Sequence, residues 1–155
     1  MHRQGWRAVF VAMAVLCALP VGASAATRTV KGKTSQGLRA SAKIREDNSV
    51  ARVSVKYRAR CRKRGEVRGG IFWQDSAGER GFERNGESFS DGGRFRVRQR
   101  RFRAAIDSKM TGAPASGGGW AGKFSVVVRV KNRRNRTIDV CKTRSRSWRV
   151  GAPTG

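Results

Sequence analysis

A twelve-residue alternation between residues 51 and 62 constrains the fold of this chain more than any other feature of its sequence. Small, apolar or aromatic side chains at odd positions alternate there with arginine, lysine and serine at even positions. A period of two residues, sustained over this length and including Val and Tyr, is typical of a strand with one buried face. Residues 38–45 alternate in the same way, and the polar cluster 46–49 favours a turn, so the two runs predict an antiparallel hairpin. The expected buried face comprises Leu38, Ala40, Ala42 and Ile44 on the first strand and Ala51, Val53, Val55, Tyr57, Ala59 and Cys61 on the second.

Several further segments have strand or turn character, and none after residue 25 shows helical periodicity. Phe95 and Val97 are expected to face inward within 94–98, and a bulge or tight turn at 99–101 would absorb the change of parity at Phe102. About eight short strands predict an all-β fold, a single antiparallel sandwich or barrel. The other expected strands lie in 67–74, 102–106, 124–130, 137–141 and a last segment ending near Val150, with glycine-rich turns and short strands in 75–93 and a loop at 112–119.

Composition by itself points to disorder. Leu, Ile, Val and Phe account for only 23 of the 130 residues from 26 to 155. A share below roughly 20%, combined with a high net charge, is typical of disordered chains. A disordered chain has no physical reason to alternate, however, so the pattern favours one folded β domain over residues 26–155, with a frayed tail at 151–155.

The N-terminal 25 residues have the organisation of a secretory signal peptide. Arg3 and Arg7 precede an uncharged run at 8–19, and the segment 23–25 supplies the small residues that precede a cleavage site. A membrane anchor is the alternative, but this run is shorter than the roughly 20 residues that span a bilayer. We therefore expect a secreted protein whose mature form, residues 26–155, has no transmembrane segment.

Removal of the signal would leave two cysteines, Cys61 and Cys141. An even number of cysteines in an exported chain predicts a disulfide, and Cys61 lies on the expected apolar face of its strand. A reactive thiol or a metal ligand is the alternative, but residues 26–155 contain no histidine and no Cys-x-x-Cys spacing. The prediction is therefore one Cys61–Cys141 disulfide, with no metal and no cofactor.

The lack of histidine after residue 25 also limits catalysis. It excludes Ser–His and Cys–His nucleophile activation and ordinary zinc hydrolase sites, so we expect a protein that is not an enzyme. Half of the ten acidic residues recur every four positions, and three interpretations of them are open: a calcium loop, a catalytic carboxylate pair, or solvated acids that offset the basic surface. We favour the last, because the calcium loop lacks an Asp-x-Asp core. These acids are Asp75, Glu79, Glu83, Glu87 and Asp91.

Positive charge is the dominant functional signal. The chain has 35 Lys and Arg against 10 Asp and Glu, a formal net charge of +25. Adjacent cations on one strand face repel, so stability does not require them, whereas an anionic partner would neutralise them and release counterions. We therefore predict a binding module for an anionic polymer, either nucleic acid or an anionic cell-envelope polysaccharide. The predicted contact residues are Arg39, Lys43, Arg45, Arg52, Lys56, Arg58 and Arg60 on the hairpin, and Arg94, Arg96 and Arg98 further along the chain.

Three alternatives to polyanion binding remain open. GC-rich coding would favour arginine without any function for it. A protein-interaction or inhibitor domain would rely on a few aromatic or arginine anchors. A carbohydrate-binding module would use exposed tryptophans, although Trp73, Trp120 and Trp148 are more expected in the core of a chain with one leucine after residue 25.

A small set of residues spread along the chain also suggests a family. They are Gly32, the run 34–36 (Thr-Ser-Gln), Tyr57 four residues before Cys61, and Cys141-x-Thr143 followed by Trp148. In these positions the chain resembles a group of small secreted β-rich proteins of high-GC Gram-positive bacteria. The resemblance implies export and a one-disulfide β domain, and it implies no particular activity because the function of that group is unknown. It would place a glycine at position 144, where this chain has arginine.

Overall fold

The described residues of this protein form ten β-strands in its computed structural model. The structure describes residues 26–63, 65–75, 82–99 and 102–151, and these residues contain no helix. The predicted signal peptide, Glu79 and residues 152–155 of the predicted tail lie outside the described residues. The strands are β1 (Thr27–Thr34), β2 (Arg39–Arg45), β3 (Val50–Cys61), β4 (Glu66–Gln74), β5 (Glu83–Asn85), β6 (Ser88–Gln99), β7 (Phe102–Pro114), β8 (Trp120–Lys131), β9 (Thr137–Lys142) and β10 (Arg146–Val150).

The predicted all-β class is confirmed, because all strands belong to one antiparallel sheet. The number of strands is ten instead of about eight, since β1 and the three-residue β5 were not predicted individually. Only Val30 gives β1 a large apolar side chain, so its sequence carries a weak strand signal. Within the described part of the chain, no helix has the length and apolar character needed to cross a membrane.

Strand pairing follows a path that returns to its starting point. β1 pairs with β2 and β10, β2 pairs with β3, β3 with β9, β9 with β8, and β8 with β10. β4 pairs with the edge of β3 that does not contact β2. On the other side of the path, β7 pairs with β8, β6 with β7, and β5 with β6. Alternate residues of each strand in this circuit point to a shared core, and their neighbours form an outer face.

The predicted hairpin is present as β2 and β3, with Ala42 opposite Val53 and Lys43 opposite Arg52. Two expected core positions are wrong. Leu38 is only partly buried and lines a groove with Lys56 and Arg58, and Val50, not Ala51, is buried at the start of β3. The register shifts between Lys43 and Ile44, so that Ile44 pairs with Val50 and Ala51 has no partner on β2. Because β3 has one extra residue at this bulge, Val50 faces the core and Ala51 does not, which is the reverse of what strict alternation predicts.

β6 and β7 form the second long hairpin. Gln99 pairs with Phe102, which agrees with a tight turn, although residues 100 and 101 lie outside the described residues. The expectation that Phe95 is buried is wrong: it lies on the core side opposite Ile106 but is 41% exposed. Beyond β5, β6 pairs with β7 alone, so no further described strand covers Phe95. Val97 is partly buried against the core, as predicted.

The predicted Cys61–Cys141 disulfide is confirmed, and it joins β3 to β9. Its two cysteines pair directly across the strands, and Cys141 is fully buried. The Asp139 carboxylate lies beside them, but both sulfur atoms are joined to each other and offer no thiolate to a metal ion. Asp139 instead accepts hydrogen bonds from the backbone N–H groups of Arg62 and Lys63, which holds the end of β3 against β9.

Large aromatic side chains fill much of the core, as expected for a chain poor in leucine. Trp73 and Trp148 are buried, and Trp73 packs against Phe124 at 6.3 Å between ring centroids. The Trp148 Nε1–H donates a hydrogen bond of 3.1 Å to the carbonyl oxygen of Thr111. Trp120 is partly buried and packs against the core, with its ring centroid 5.5 Å from that of Phe89, so it has the predicted core role in part.

Candidate polyanion-binding channel

Three rows of side chains cross the outer face from β1 to β4, each row formed by residues that lie opposite one another. The first row is Thr29, Lys43, Arg52 and Gln74; the second is Lys31, Ser41, Ser54 and Phe72; the third is Lys33, Arg39, Lys56 and Gly70. In the third row, Arg39 and Lys56 are the residues next to the paired Ala40 and Val55. None of these twelve described residues is acidic. We call this set of residues the β1–β4 channel.

The first and third rows form two cationic banks, and short serine side chains lie between them. Same-face residues on a strand repeat every 6.6–6.8 Å, so the two banks are about 13 Å apart. Ser41 and Ser54 form the floor, because their side chains are much shorter than those of lysine or arginine. The channel cations are Lys31, Lys33, Arg39, Lys43, Arg52 and Lys56, of which all but the half-buried Arg52 are exposed.

Side chains from the three rows line one groove of about 310 Å³ at the β2–β4 end of the channel. Phe72 closes this end, and its side chain is 55% exposed although its chain neighbours Ile71 and Trp73 are buried. The Arg52 guanidinium carbon lies 3.8 Å from the centroid of the Phe72 ring. The Arg52 Nε is buried without a hydrogen-bond partner among the described residues, so stacking on Phe72 is what orients this guanidinium.

Three of the predicted contact residues are already engaged by other parts of the protein. Arg45 Nη1 lies 3.0 Å from Asp75 Oδ2. Arg58 Nη2 donates to the carbonyl oxygen of Gln36 at 3.1 Å. Arg94 forms an ion pair with Asp107, which Arg129 also contacts. Each of these side chains therefore has a structural partner that a polymer would have to replace.

The remaining three predicted contact residues lie outside the channel. Arg60 is opposite Glu66 on β4 and Lys142 on β9. Arg96 and Arg98 are exposed on β6, in the stretch that pairs with β7 alone among the described strands. Charged side chains on an open strand edge oppose edge-to-edge association, which gives Arg96 and Arg98 a structural use of their own.

Asp75 has the most extensive contacts among the four described acidic residues of the series that recurs every four positions. Its carboxylate receives Arg84 Nη2 at 2.6 Å, Arg45 Nη1 at 3.0 Å and the Phe82 backbone N–H at 3.1 Å. Partial burial alone would raise the pKa of Asp75, but these hydrogen bonds outweigh it and lower the pKa below its ordinary value. Asp75 therefore ties the β2–β3 turn to the segment before β5.

The other described acids of this series lie in two different places. Glu83 and Asp91 line an outer groove of about 840 Å³ together with Asp107. Burial raises the pKa of Asp91, and the negative charges of Glu83 and Asp75 raise it further. Glu87 lines a separate cavity, so the described acids do not converge on one site.

That separate cavity has a volume of about 560 Å³ and lies beside the 115–119 loop. Val30, Ile44 and Trp120 contribute its apolar surface, while Arg28 and Glu87 are among the charged residues around it. Trp120 is the one predicted sugar-stacking tryptophan that reaches a cavity surface here, since Trp73 and Trp148 are buried. This cavity is therefore the place to look for carbohydrate binding.

Among the channel residues that are given a role here, sequence reasoning missed Lys31, Lys33 and Phe72, together with the two floor residues Ser41 and Ser54. The two lysines flank Gly32 in β1, and a period of two around Val30 would have placed both on the outer face. Phe72 lies between two residues that face inward, so strict alternation in β4 would have placed it outside. The signals were present but short, and neither strand alternates over the length that β3 does.

The residues that carry the family resemblance have structural roles in this fold. Thr34 and Thr143 are buried, and the Thr143 Oγ1 accepts the Val126 backbone N–H at 2.9 Å. The Gln36 side chain bridges to the backbone of Arg58, accepting its N–H at 3.0 Å and donating to its carbonyl oxygen at 2.8 Å. No protein-family model, curated protein or solved structure matches this chain.

Proposed function

We propose that this protein is a secreted, non-enzymatic binding module that holds a single extended anionic polymer chain in the β1–β4 channel. The observation that carries the proposal is the pairing of two cationic banks with a serine floor and no acidic residue. Lysine and arginine on both sides would contact anionic groups of a chain lying between them, and the serine hydroxyls would hydrogen-bond to the same groups.

The dimensions of the channel favour a short stretch of one chain. Its banks are about 13 Å apart, and three inter-strand steps of about 4.8 Å make it about 14 Å long. Such a site accommodates two or three anionic repeat units side by side with its six cations. A duplex has to rest on top of the banks, where it contacts the ends of the lysine and arginine side chains but not the serine floor.

Binding of this kind is driven by release of the counterions that surround the polymer. For single-stranded nucleic acid, each neutralised phosphate contributes about 0.7 to the slope of log affinity against log salt concentration. The two or three phosphates that the channel accommodates correspond to a slope of about −1.4 to −2. Because the cations outside the channel also attract polymer, the slope of the intact protein is expected to be at least this steep.

A comparison of two triple variants tests the location. The channel variant replaces Arg39, Lys43 and Lys56 by serine, and the matched control replaces Arg96, Arg98 and Lys109, which are exposed residues of β6 and β7. Both variants lose three positive charges. Titration of a fluorescent anionic polymer with the oxidised protein 26–155 should show a loss of affinity at least tenfold larger for the channel variant. Equal losses would mean that charge alone attracts the polymer, and a larger loss in the control would move the site to β6 and β7.

A second candidate function is binding of a neutral glycan at Trp120. The favouring observation is the position of this tryptophan at the surface of the 560 Å³ cavity, beside the apolar Val30 and Ile44. A sugar ring stacked there would quench tryptophan fluorescence, and Trp120→Ala would abolish the effect. Quenching by neutral oligosaccharides that does not change with salt would favour this function over polyanion binding.

A further inference from the structure

The end of the β1–β4 channel at β4 differs from the rest, because an exposed aromatic ring replaces the cations there. We propose that this end is a stacking site for a nucleobase, so that the polymer held in the channel is a single-stranded nucleic acid. This inference rests on the proposed function and names the class of its ligand.

Phe72 is well placed to act as a stacking platform. Among the described residues, Phe72 and Phe95 are the large apolar side chains that remain substantially exposed, and Phe72 is the one on the outer face. Its cross-strand neighbour is Ser54, and Gly70, the next outward position of β4, has no side chain. The Arg52 guanidinium lies over the ring and the Lys56 side chain lies over Gly70, so a base can stack on that guanidinium, or on the ring itself once these two flexible side chains move aside.

Arg52 extends this platform with a second planar group. Its guanidinium carbon lies 3.8 Å from the ring centroid, and its half-buried side chain is held there without a hydrogen bond from Nε. Aromatic rings and guanidinium planes are the two kinds of side-chain surface on which unpaired bases stack. The same guanidinium carries the charge that a phosphate next to the base requires.

Base stacking accounts for the surroundings of Phe72 better than sugar stacking does. A pyranose on the ring would present several hydroxyl groups, each of which needs a hydrogen-bond partner. The groove next to Phe72 offers the two serine hydroxyls beside arginine and lysine donors, and it contains no carboxylate. A base needs only the planar surface, and the cationic banks on both sides of the floor can hold the phosphates that flank it.

Three probes of equal length separate the base from the charge. They are an oligo-deoxythymidine of twelve units, an abasic deoxyribose–phosphate chain of twelve units, and an oligogalacturonate as the anionic polysaccharide. The oxidised protein 26–155 is titrated with each probe at one low salt concentration. The intact protein is expected to bind the oligo-deoxythymidine at least fivefold more tightly than the abasic chain, since stacking of one base is worth a factor of about 5 to 150.

Substitution of Phe72 then assigns the preference to this site. Phe72→Ala should lower the affinity for oligo-deoxythymidine about 5- to 150-fold and leave the affinity for the abasic chain unchanged. Phe72→Trp should preserve the preference for the base-bearing chain over the abasic chain. Phe95→Ala removes an exposed phenylalanine that lies outside the channel, and it should change neither affinity. Because Phe72 is exposed, its removal is not expected to prevent folding, and far-UV circular dichroism checks this.

Two results overturn the inference and leave the proposed function in place. One is equal affinity of the intact protein for the base-bearing and abasic chains. The other is an equal loss of affinity for all three probes in Phe72→Ala. Tighter binding of oligogalacturonate than of oligo-deoxythymidine would assign the channel to an anionic polysaccharide instead. Failure to bind any of the three probes would overturn the proposed function together with the inference.

Discussion

The buried hydroxyl of Thr143 donates a hydrogen bond of 2.6 Å to the carbonyl oxygen of Arg144, and Arg144 has a backbone φ of 56°. This value lies in the left-handed region, which costs a residue with a Cβ atom roughly 1 kcal/mol or more. The family resemblance would place a glycine at this position. Arginine therefore occupies a conformation that glycine adopts without strain.

Replacement of Arg144 by glycine should thus be neutral or stabilise the protein by up to about 1 kcal/mol. The reason is that glycine removes the backbone strain of the folded state, and this gain is at least as large as the cost of the conformational entropy that glycine adds to the unfolded chain. Urea unfolding of the oxidised protein measures this change. Lys142→Gly, at an exposed position within β9, is the control and should destabilise by about 1 kcal/mol. Equal destabilisation by the two glycines would contradict the assigned strain.

Replacement of Asp75 by asparagine should reduce the free energy of unfolding by about 1–2 kcal/mol at neutral pH, because the charge that Arg45 and Arg84 share is lost. The pKa of Asp75 is lowered in the folded protein from an ordinary value of 3.8. Its contribution is therefore complete above that value and is lost as the pH falls through the folded pKa. The difference between the intact protein and Asp75→Asn should accordingly shrink below about pH 4.

Glu66→Gln is the matched control for Asp75, since it removes the same charge from the exposed pair with Arg68. Its effect at neutral pH should be below about 0.5 kcal/mol. Urea unfolding of both variants at several pH values provides the measurement. A pH-independent effect of Asp75→Asn would show that its charge is not what stabilises the fold.

Replacement of Gly32 by alanine should disrupt the pairing of β1 with β10. A Cβ atom at this position would collide with the backbone carbonyl oxygen of Arg149 and with Val150, so one strand has to move. The expected cost is about 2–3 kcal/mol. Gly93→Ala, where an added Cβ meets nothing within 4 Å, should cost almost nothing. Thermal unfolding distinguishes the two, and similar midpoints for both would contradict the close approach of β1 and β10.

Reduction of the Cys61–Cys141 disulfide should lower stability by about 4 kcal/mol, because the bond closes a loop of 80 residues. Urea unfolding with and without a phosphine reductant measures this loss. Only a small shift of the midpoint would show that the packing of β3 on β9 suffices without the covalent link.

Much of this fold could be predicted from one property, the alternation of side chains along the strands. It placed the β2–β3 hairpin, the inward face of β8 and the side of β3 on which Cys61 lies, since a period of two is a local signal. It failed at Ala51, where a bulge changes the orientation of the chain, and at Phe95, where the sheet has no further strand to complete a core.

The candidate site was only partly predictable, because charge partners are set by tertiary contacts. Arg45 and Asp75 are 30 residues apart, and Arg94 and Asp107 are brought together by a hairpin. A count of outward arginines cannot separate these engaged residues from Arg39, Lys43 and Lys56, which face the channel. Pairing of β1 with β2 is what adds Lys31 and Lys33 to the same surface.

The salt dependence of polymer binding tests the central proposal most directly. The slope of log affinity against log salt concentration is measured with a single-stranded oligonucleotide for the intact protein, the channel variant and the β6–β7 control variant. Loss of Arg39, Lys43 and Lys56 should make the slope shallower by up to about 2, since the channel holds two or three phosphates and each contributes about 0.7 to the slope. The control, with the same change in net charge, should change the slope by less than half as much. An unchanged slope in the channel variant, or an equal change in both variants, would contradict a polyanion site in the β1–β4 channel.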